Sequence, residues 1–272
     1  MKLIAPRIEA LPVDETGSIT DLRAIDQQKE LTVKKPVNAE GYLAMKKKTT
    51  ARLGLGRIGT RYTTRSVLRL RADHAAAKDA VWTDVSSAFI QKMGWLALQS
   101  TCKTETEYLT RPDHGRIIAP TELHKLTPLF PTPPRVLLAV GDGLSSSAIE
   151  ANAAEVIPAI KQGLALSQIQ IGTIPFIRFA RVAVEDYLGE ATHADVVCLL
   201  IGERPGLATA KSMSAYIAYR PTVGMPEARR TVVSNIHPQG VPAVEAGAYI
   251  ASVIKKMLTK QASGIALTNT AK

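Results

Sequence analysis

The chain has 272 residues, of which 46% are hydrophobic and 21% are charged. This length and composition are ordinary for one large or two smaller globular domains, and they exclude a wholly disordered, collagen-like or coiled-coil chain. The net charge is +10, from 34 Lys and Arg residues against 24 Asp and Glu residues, which raises the question of a nucleic-acid or membrane partner. The two cysteines, Cys102 and Cys198, are too few for a disulfide framework and indicate a reducing compartment.

The first 40 residues are predicted to form an N-terminal arm, because Pro6, Pro12 and Pro36 are interspersed with charged residues. Within this arm, the segment from Ile19 to Leu31 either makes one short amphipathic helix or stays without regular structure. The opening residues lack the apolar core of a secretory signal, and no apolar run is long enough to span a membrane. We therefore expect a cytoplasmic protein without a membrane partner.

Residues 41–72 form a strongly basic segment that contains no Asp or Glu. Its nine positive residues are Lys46, Lys47, Lys48, Arg52, Arg57, Arg61, Arg65, Arg69 and Arg71. Such a segment can dock on an acidic protein face or bind nucleic acid through phosphate contacts. Nucleic-acid binding is the less favoured alternative, because no helix-turn-helix spacing is present and only 5% of residues are aromatic.

Within the basic segment, Gly54-Leu-Gly56-Arg-Ile-Gly59 matches the spacing of a dinucleotide-binding loop. The match is weak, because Lys46–Lys48 lie where such a loop requires a buried strand, and the nearby acid Asp73 falls inside a predicted helix. A glycine-rich basic loop that docks on a partner is therefore favoured over an NAD site.

The rest of the chain divides at a stretch with four prolines between Thr127 and Pro134. Before it, apolar spacing predicts helices over residues 64–81, 83–98 and 121–126. After it, the predicted strands lie at residues 136–140, 169–179, 194–201, 214–219 and 231–234, and the predicted helices at 145–161 and 241–260. The sequence thus predicts an α/β protein, with a small helical N-terminal domain at residues 41–130 and a domain with a mostly parallel sheet at 131–272.

Polar residues after the predicted strands are the candidate binding residues, since open α/β sheets bind ligands at the carboxyl ends of their strands. Gly202-Glu203-Arg204-Pro205-Gly206 follows the clearest strand, and its carboxylate and guanidinium favour a hydrogen-bonding site over a surface ion pair. The turn at Gly141-Asp142-Gly143, followed by Ser145, is compatible with a ligand-binding turn and equally with a plain helix cap. Further residues expected on the same rim are Arg178, Arg181, Glu185, Asp186 and residues 234–237.

No metal site is predicted, because the five histidines are spread along the chain and no metal-binding spacing of His and Cys occurs. His74, in the helix expected at residues 64–81, is predicted to be a packing residue.

Several blocks, taken in order, resemble the small (light) subunit of ethanolamine ammonia-lyase. They are Asp73–Val81, Tyr108–Asp113, Asp142–Ile149, Arg178–Val182, Glu185-Asp186, Gly202–Gly206, Ser234–His237 and Lys260–Ile265. The resemblance covers roughly residues 50–266 and rests on many collinear blocks rather than on one motif.

This resemblance implies a subunit of an adenosylcobalamin-dependent lyase that converts ethanolamine to acetaldehyde and ammonia by a radical mechanism. In that family a TIM-barrel large subunit carries the substrate site, so no catalytic residue is expected in this chain. The small subunit has a helical N-terminal part and a Rossmann-like C-terminal domain that covers the lower face and nucleotide tail of the cofactor. The resemblance also implies a hetero-oligomer, and many members work inside a bacterial microcompartment.

Three positions match the cobalamin contacts of the family: Val182 after the Arg178–Arg181 segment, Glu203, and Val232, two residues before Ser234. Relatives often have cysteine at the last position, so valine leaves a packing or backbone contact and excludes a thiol role. The sequence lacks the Asp-x-His-x-x-Gly motif of proteins that replace the lower base by histidine, which fits a cofactor whose benzimidazole stays on cobalt. With this resemblance, the partner of the basic segment would be the large subunit.

Overall fold

The computed structural model describes residues 21–269, which fall into two compact units. The first contains the described residues up to Ala77 together with Gly206–Ala208, and the second contains Lys78–Pro205 and the described residues from Thr209 onward. The domain limits expected at residues 40 and 130 remain predictions. None of the helices within residues 21–269 is both long and apolar enough to cross a membrane.

The first unit is built from a short helix, a hairpin and the start of a long helix. Helix α1 (Ala39–Lys46) begins at Asn38, whose side chain accepts a backbone hydrogen bond from its first turn at 2.8 Å. Strands β1 (Arg57–Ile58) and β2 (Arg61–Tyr62) pair antiparallel, and helix α2 (Thr64–Trp82) follows closely.

The helix considered between Ile19 and Leu31 is wrong for residues 21–31, which form turns and bends. The side chains of Asp21 and Asp26 each accept the backbone N–H of the second residue after them, at 2.9 Å, and so stabilise turns in competition with a helix. Ile19 and the rest of the arm before residue 21 lie outside the described residues.

Helix α2 confirms the helix predicted over residues 64–81, but its buried face differs from the prediction. Ala77 and Asp73 are buried, while His74 is exposed, so the prediction of a packing histidine is wrong. The cause is electrostatic, because the buried carboxylate of Asp73 binds the guanidinium groups of Arg52 and Arg69 at 2.9 and 3.0 Å.

The second unit contains a six-stranded sheet. Its strands are β3 (Leu96–Gln99), β4 (Val136–Gly141), β5 (Pro175–Arg178), β6 (Val196–Gly202), β7 (Met213–Tyr219) and β8 (Thr231–Ile236). Its helices are α3 (Ser87–Lys92), α4 (Glu105–Thr110), α5 (Pro120–Leu126), α6 (Ser146–Ala165), α7 (Val184–Thr192), α8 (Ala243–Lys260) and α9 (Gly264–Asn269). The strand order is β3-β5-β4-β6-β7-β8, with parallel pairing from β3 to β6 and antiparallel pairing of β7 and β8. This confirms an α/β fold with a mostly parallel sheet, while the Rossmann-like description and the helical N-terminal domain remain predictions.

The single helix predicted over residues 83–98 is wrong, because that segment holds both α3 and β3. Gly94 has φ of 65°, a left-handed conformation that ends a helix, and the chain then extends into the sheet. Trp95 follows directly and stacks on Phe176 of β5 with ring centroids 5.9 Å apart.

The sheet has an apolar layer on each face. Strands β4 and β6 are buried along their whole length, as continuous apolar runs predict. Helices α6 and α8 cover one face, while α7 packs against β6 on the other. On this second face, β8 remains partly accessible, since Val232 is 45% exposed.

Candidate functional site

Glu203 is the first residue after β6, and its carboxylate lies beside strands β7 and β8. Its Oε1 accepts hydrogen bonds from the Ser214 hydroxyl at 2.5 Å and from the Asn235 backbone N–H at 2.9 Å. Partial burial raises the pKa of Glu203, but the backbone N–H of Asn235 and the hydroxyls of Ser212 and Ser214 lower it, and the net pKa is below the ordinary value. Glu203 is therefore an ionised acceptor held in place by its neighbours, rather than half of an ion pair with the exposed Arg204.

The Ser234–His237 block holds this carboxylate in place through a backbone hydrogen bond. Asn235 has φ of 62°, a left-handed conformation in which its backbone N–H reaches Glu203. Its side-chain Oδ1 lies 2.8 Å from His237 Nε2, and the Gln239 N–H donates to His237 Nδ1 at 3.3 Å. Burial lowers the pKa of His237, which favours the neutral imidazole that this arrangement needs. The predicted position of this block near Glu203 is confirmed.

Val232 and Tyr216 lie side by side on the accessible part of the same sheet face. They are directly paired across the antiparallel strands β7 and β8. On β7, Tyr216 lies two residues after Ser214. Val232 is exposed and Tyr216 is half-buried. No sequence motif distinguishes Tyr216, although the period of two along a strand puts it on the face of Ser214.

Val182 lies just before helix α7, and it packs against the same apolar cluster as Tyr216. The basic residues around it are engaged in structural contacts. Arg181 donates to the Tyr108 carbonyl at 3.0 Å, and its guanidinium stacks 4.2 Å over the centre of the Tyr108 ring. Arg178 pairs with Asp84. Within the Arg178–Val182 segment, Val182 therefore remains available for an apolar contact with a ligand.

The turn after β4 has a structural role, which resolves the two possibilities left by the sequence. The Asp142 carboxylate accepts the backbone N–H groups of Phe179 and Ala180 at 2.6 and 2.8 Å, and its burial raises its pKa to about 7. A Cβ on Gly143 would lie 2.1 Å from the Gly202 carbonyl oxygen, so the glycine admits protein backbone and not a ligand. Ser145 caps α6 by accepting the Ala148 N–H at 3.3 Å.

Glu185 and Asp186 belong to a buried polar cluster around Arg230 rather than to an open rim. Arg230, whose side chain is 1% exposed, donates to Glu185 at 3.1 Å and to Asp186 at 2.6 Å. Because Arg230 precedes β8 and both carboxylates lie in the first turn of α7, this cluster ties together the two elements that carry Val232 and Val182.

Three buried side-chain atoms have no hydrogen-bond partner among the described residues: Arg181 Nε, Glu185 Oε1 and the Ser212 hydroxyl. Ser212 adjoins Glu203, since its carbonyl accepts the Glu203 N–H at 3.0 Å. The Ser212 hydroxyl lies close enough to the Glu203 carboxylate to lower its pKa. The carboxylate, and not this buried hydroxyl, is therefore the group available to a ligand that carries hydroxyl or amide donors.

The basic segment carries fewer free charges than its sequence indicates. Arg65 pairs with Glu30 at 2.5 Å, Arg52 and Arg69 bind Asp73, and Lys46 is buried with its ammonium on a backbone carbonyl. The exposed cations of the segment are Lys47, Lys48, Arg57, Arg61 and Arg71.

The glycine-rich loop at residues 54–59 leads into the β1–β2 hairpin, which is not the strand–turn–helix of a dinucleotide site. Its tip exposes Ile58 at 74%, and Arg57 lies 4.3 Å over the ring of Tyr62. Within residues 21–269 no group of three or more His, Cys, Asp or Glu side chains is placed to hold a metal ion.

Comparison with known proteins gives a consistent result. A family model described as "Ethanolamine ammonia-lyase light chain (EutC)" matches residues 39–268. A protein of Clostridioides difficile named ethanolamine ammonia-lyase small subunit is 55% identical over 255 residues, which cover 94% of this chain and 87% of that protein. Small subunits of the same name from Clostridium perfringens and Listeria monocytogenes are 54% and 53% identical, over 94% and 92% of this chain and 86% of each relative.

Proposed function

The chain belongs to the family of ethanolamine ammonia-lyase light chains, and from this membership we propose that it forms one wall of an adenosylcobalamin site. As a member of this family it is a subunit of a carbon–nitrogen lyase, with a large subunit as its partner. The assembled enzyme would convert ethanolamine into acetaldehyde and ammonia, with the catalytic residues on the large subunit. When bound, adenosylcobalamin supplies the radical by homolysis of its cobalt–carbon bond.

The observation that carries this proposal is the carboxylate of Glu203. It is ionised, its Oε1 is fixed by two hydrogen bonds, and the Ser212 side chain on the adjoining segment also lowers its pKa. Cobalamin carries amide N–H and ribose O–H donors around its rim, and a fixed carboxylate accepts from such groups strongly. The residues present therefore fit the group.

The apolar part of the site would come from Val182 and Val232. Val182 packs against the apolar cluster on the sheet face that Glu203 adjoins, and exposed Val232 on β8 offers a packing surface without polar atoms. These side chains would orient the cofactor and exclude water from it, while Arg230 holds the elements that carry them together. We expect no proton transfer at these residues.

We also propose that the β1–β2 hairpin docks on an acidic face of the large subunit. Exposed Ile58 between the cations of Arg57 and Arg61 combines an apolar contact with positive charge, a combination that suits a protein interface. The nucleic-acid alternative is not favoured, because three of the nine cations are paired and the family is a lyase family. A cytoplasmic or microcompartment location remains a prediction.

The deciding experiment is isothermal titration of cobalamin into this chain alone and into the chain co-expressed with its large subunit. Binding only to the complex is the expected result, since this chain is proposed to supply one wall of a shared site. Equally tight binding to the isolated chain would contradict a shared site, and absence of binding to both preparations would overturn the proposal.

A further inference from the structure

We propose that Tyr216 is a further cofactor-binding residue, whose ring packs under the flat base of the nucleotide tail and whose hydroxyl donates to an oxygen of that tail. This inference rests on the proposed function and assigns a part of the same site. Tyr216 lies in none of the sequence motifs described above.

The position of Tyr216 in the sheet is the first argument. It pairs directly with Val232 on β8, and on its own strand it lies two residues from Ser214, which donates to Glu203. Side chains two residues apart on a strand point to the same face. Tyr216 therefore lies between the apolar and the charged member of the proposed site, on the side of the sheet that β8 leaves accessible.

The state of the hydroxyl is the second argument. The Tyr216 hydroxyl makes no hydrogen bond within residues 21–269, and it is not among the buried polar atoms that lack a partner, so the half-buried side chain keeps its hydroxyl accessible. An accessible phenol hydroxyl can donate a hydrogen bond to a ligand that covers it. Burial raises the pKa of Tyr216, and the negative charge of Glu203 raises it further, so the phenol stays protonated and acts as a donor.

The combination of groups selects the nucleotide tail over the corrin ring. Tyr216 supplies a flat aromatic surface and a phenol donor, and Ser214, two residues earlier on β7, donates to the Glu203 carboxylate, which supplies an acceptor. The tail offers a complementary set: an aromatic base, a phosphodiester that accepts hydrogen bonds, and ribose hydroxyls that donate them. The corrin periphery offers amides on flexible arms, which do not require an aromatic partner.

The test compares cobalamin with cobinamide, the corrin that lacks the phosphate, ribose and base. Binding of each to the co-expressed complex is measured by visible-absorbance titration for wild type, Tyr216→Phe and Tyr216→Ala. Tyr219→Phe, on the opposite face of the same strand, is the control for the first variant, and Tyr249→Ala, exposed on α8, for the second. Assembly of each complex is checked by size-exclusion chromatography.

We expect Tyr216→Ala, which removes the ring and the hydroxyl, to weaken cobalamin binding about ten- to one-hundred-fold. Tyr216→Phe, which removes only the hydroxyl and its hydrogen bond, should weaken it about two- to ten-fold. Cobinamide affinity should be unchanged in both. Unchanged cobalamin affinity, or an equal loss for both corrins, would overturn the role of Tyr216. If Tyr216→Ala fails to assemble, Tyr216→Phe alone decides. Failure of the proposed function would be visible separately, because the wild-type complex would then bind neither corrin.

Discussion

The Glu203 carboxylate accepts the backbone N–H of Asn235 at 2.9 Å, although 32 residues separate the two in the sequence. This bond joins the residue that follows β6 to a residue near the end of β8, and it fixes the carboxylate before any ligand binds. Preorganisation of this kind lowers the entropy that a ligand must lose on binding. The charge of Glu203, and not only its shape, should therefore contribute to affinity.

We expect Glu203→Ala to weaken cobalamin binding to the assembled enzyme about ten- to one-hundred-fold, the loss typical of one hydrogen bond to a charged group. Glu203→Gln should give a smaller loss, because an amide oxygen still accepts the Asn235 N–H. Isothermal titration measures both, and Glu245→Gln, exposed on α8, is the control. Unchanged affinity in Glu203→Ala would remove this residue from the site.

The sequence predicts this part of the site for a physical reason. A polar residue after a continuous apolar strand lies at the edge where α/β sheets bind ligands, and Glu203 follows a strand that is buried along its whole length. Val182 and Val232 were identified by family resemblance alone, because an isolated valine carries no chemical signal. Residue patterns do not point to Tyr216, because they do not give which part of the sheet face the helices leave uncovered.

Charges and turns were harder to predict because their partners are distant in the sequence. Arg52 and Asp73 are 21 residues apart and bind at 2.9 Å, so the basic segment overstated the free charge. The turn at Gly143 fits a ligand as well as it fits backbone, and only the fold shows that the Gly202 carbonyl occupies the space.

The buried cluster around Arg230 should make stability depend on pH. Burial raises the pKa of Glu185 from 4.5 to about 8, while the charge of Arg230 opposes this rise. Between these pH values the native state retains a proton that the unfolded chain has released, so the free energy of unfolding decreases as pH rises. Glu185→Gln stays neutral and still accepts from Arg230, so it should match wild type near pH 5 and exceed it increasingly towards pH 8.

Urea unfolding of wild type and Glu185→Gln across this pH range measures the effect. Glu227→Gln is the control, because Glu227 binds the same arginine but its side chain is 69% exposed, and exposed ion pairs contribute about 1 kcal/mol or less. A stability difference that does not vary with pH would contradict the assignment of the retained proton to Glu185.

The exposed charges of the hairpin should matter for assembly. Arg57→Glu with Arg61→Glu reverses two exposed cations beside Ile58 and should reduce co-purification with the large subunit, with a stronger effect at low salt. Arg65 is left unchanged because it pairs with Glu30. Lys92→Glu, at the end of α3, applies the same kind of charge change elsewhere. Full co-purification of the hairpin variant at low and moderate salt would show that docking occurs through another surface.

The close approach of the β4–α6 turn to the end of β6 gives the sharpest prediction about stability. A Cβ on Gly202 would lie 2.2 Å from the Ser145 carbonyl oxygen and 2.5 Å from that of Asp142, both rigid backbone atoms. Gly202→Ala should therefore lower the free energy of unfolding by about 1–3 kcal/mol, the usual cost of overpacking, and shift the adjacent Glu203.

Gly172→Ala is the matched control, because the nearest atom to its new Cβ is a ring carbon of Phe130 at 3.6 Å, an ordinary contact. It should change stability by less than about 1 kcal/mol in either direction. Urea unfolding compares the two variants, and cobalamin titration of the assembled complexes follows the displacement of Glu203. Equal stability of both variants would mean that the turn relaxes away from β6, and that Gly202 is not needed for the position of Glu203.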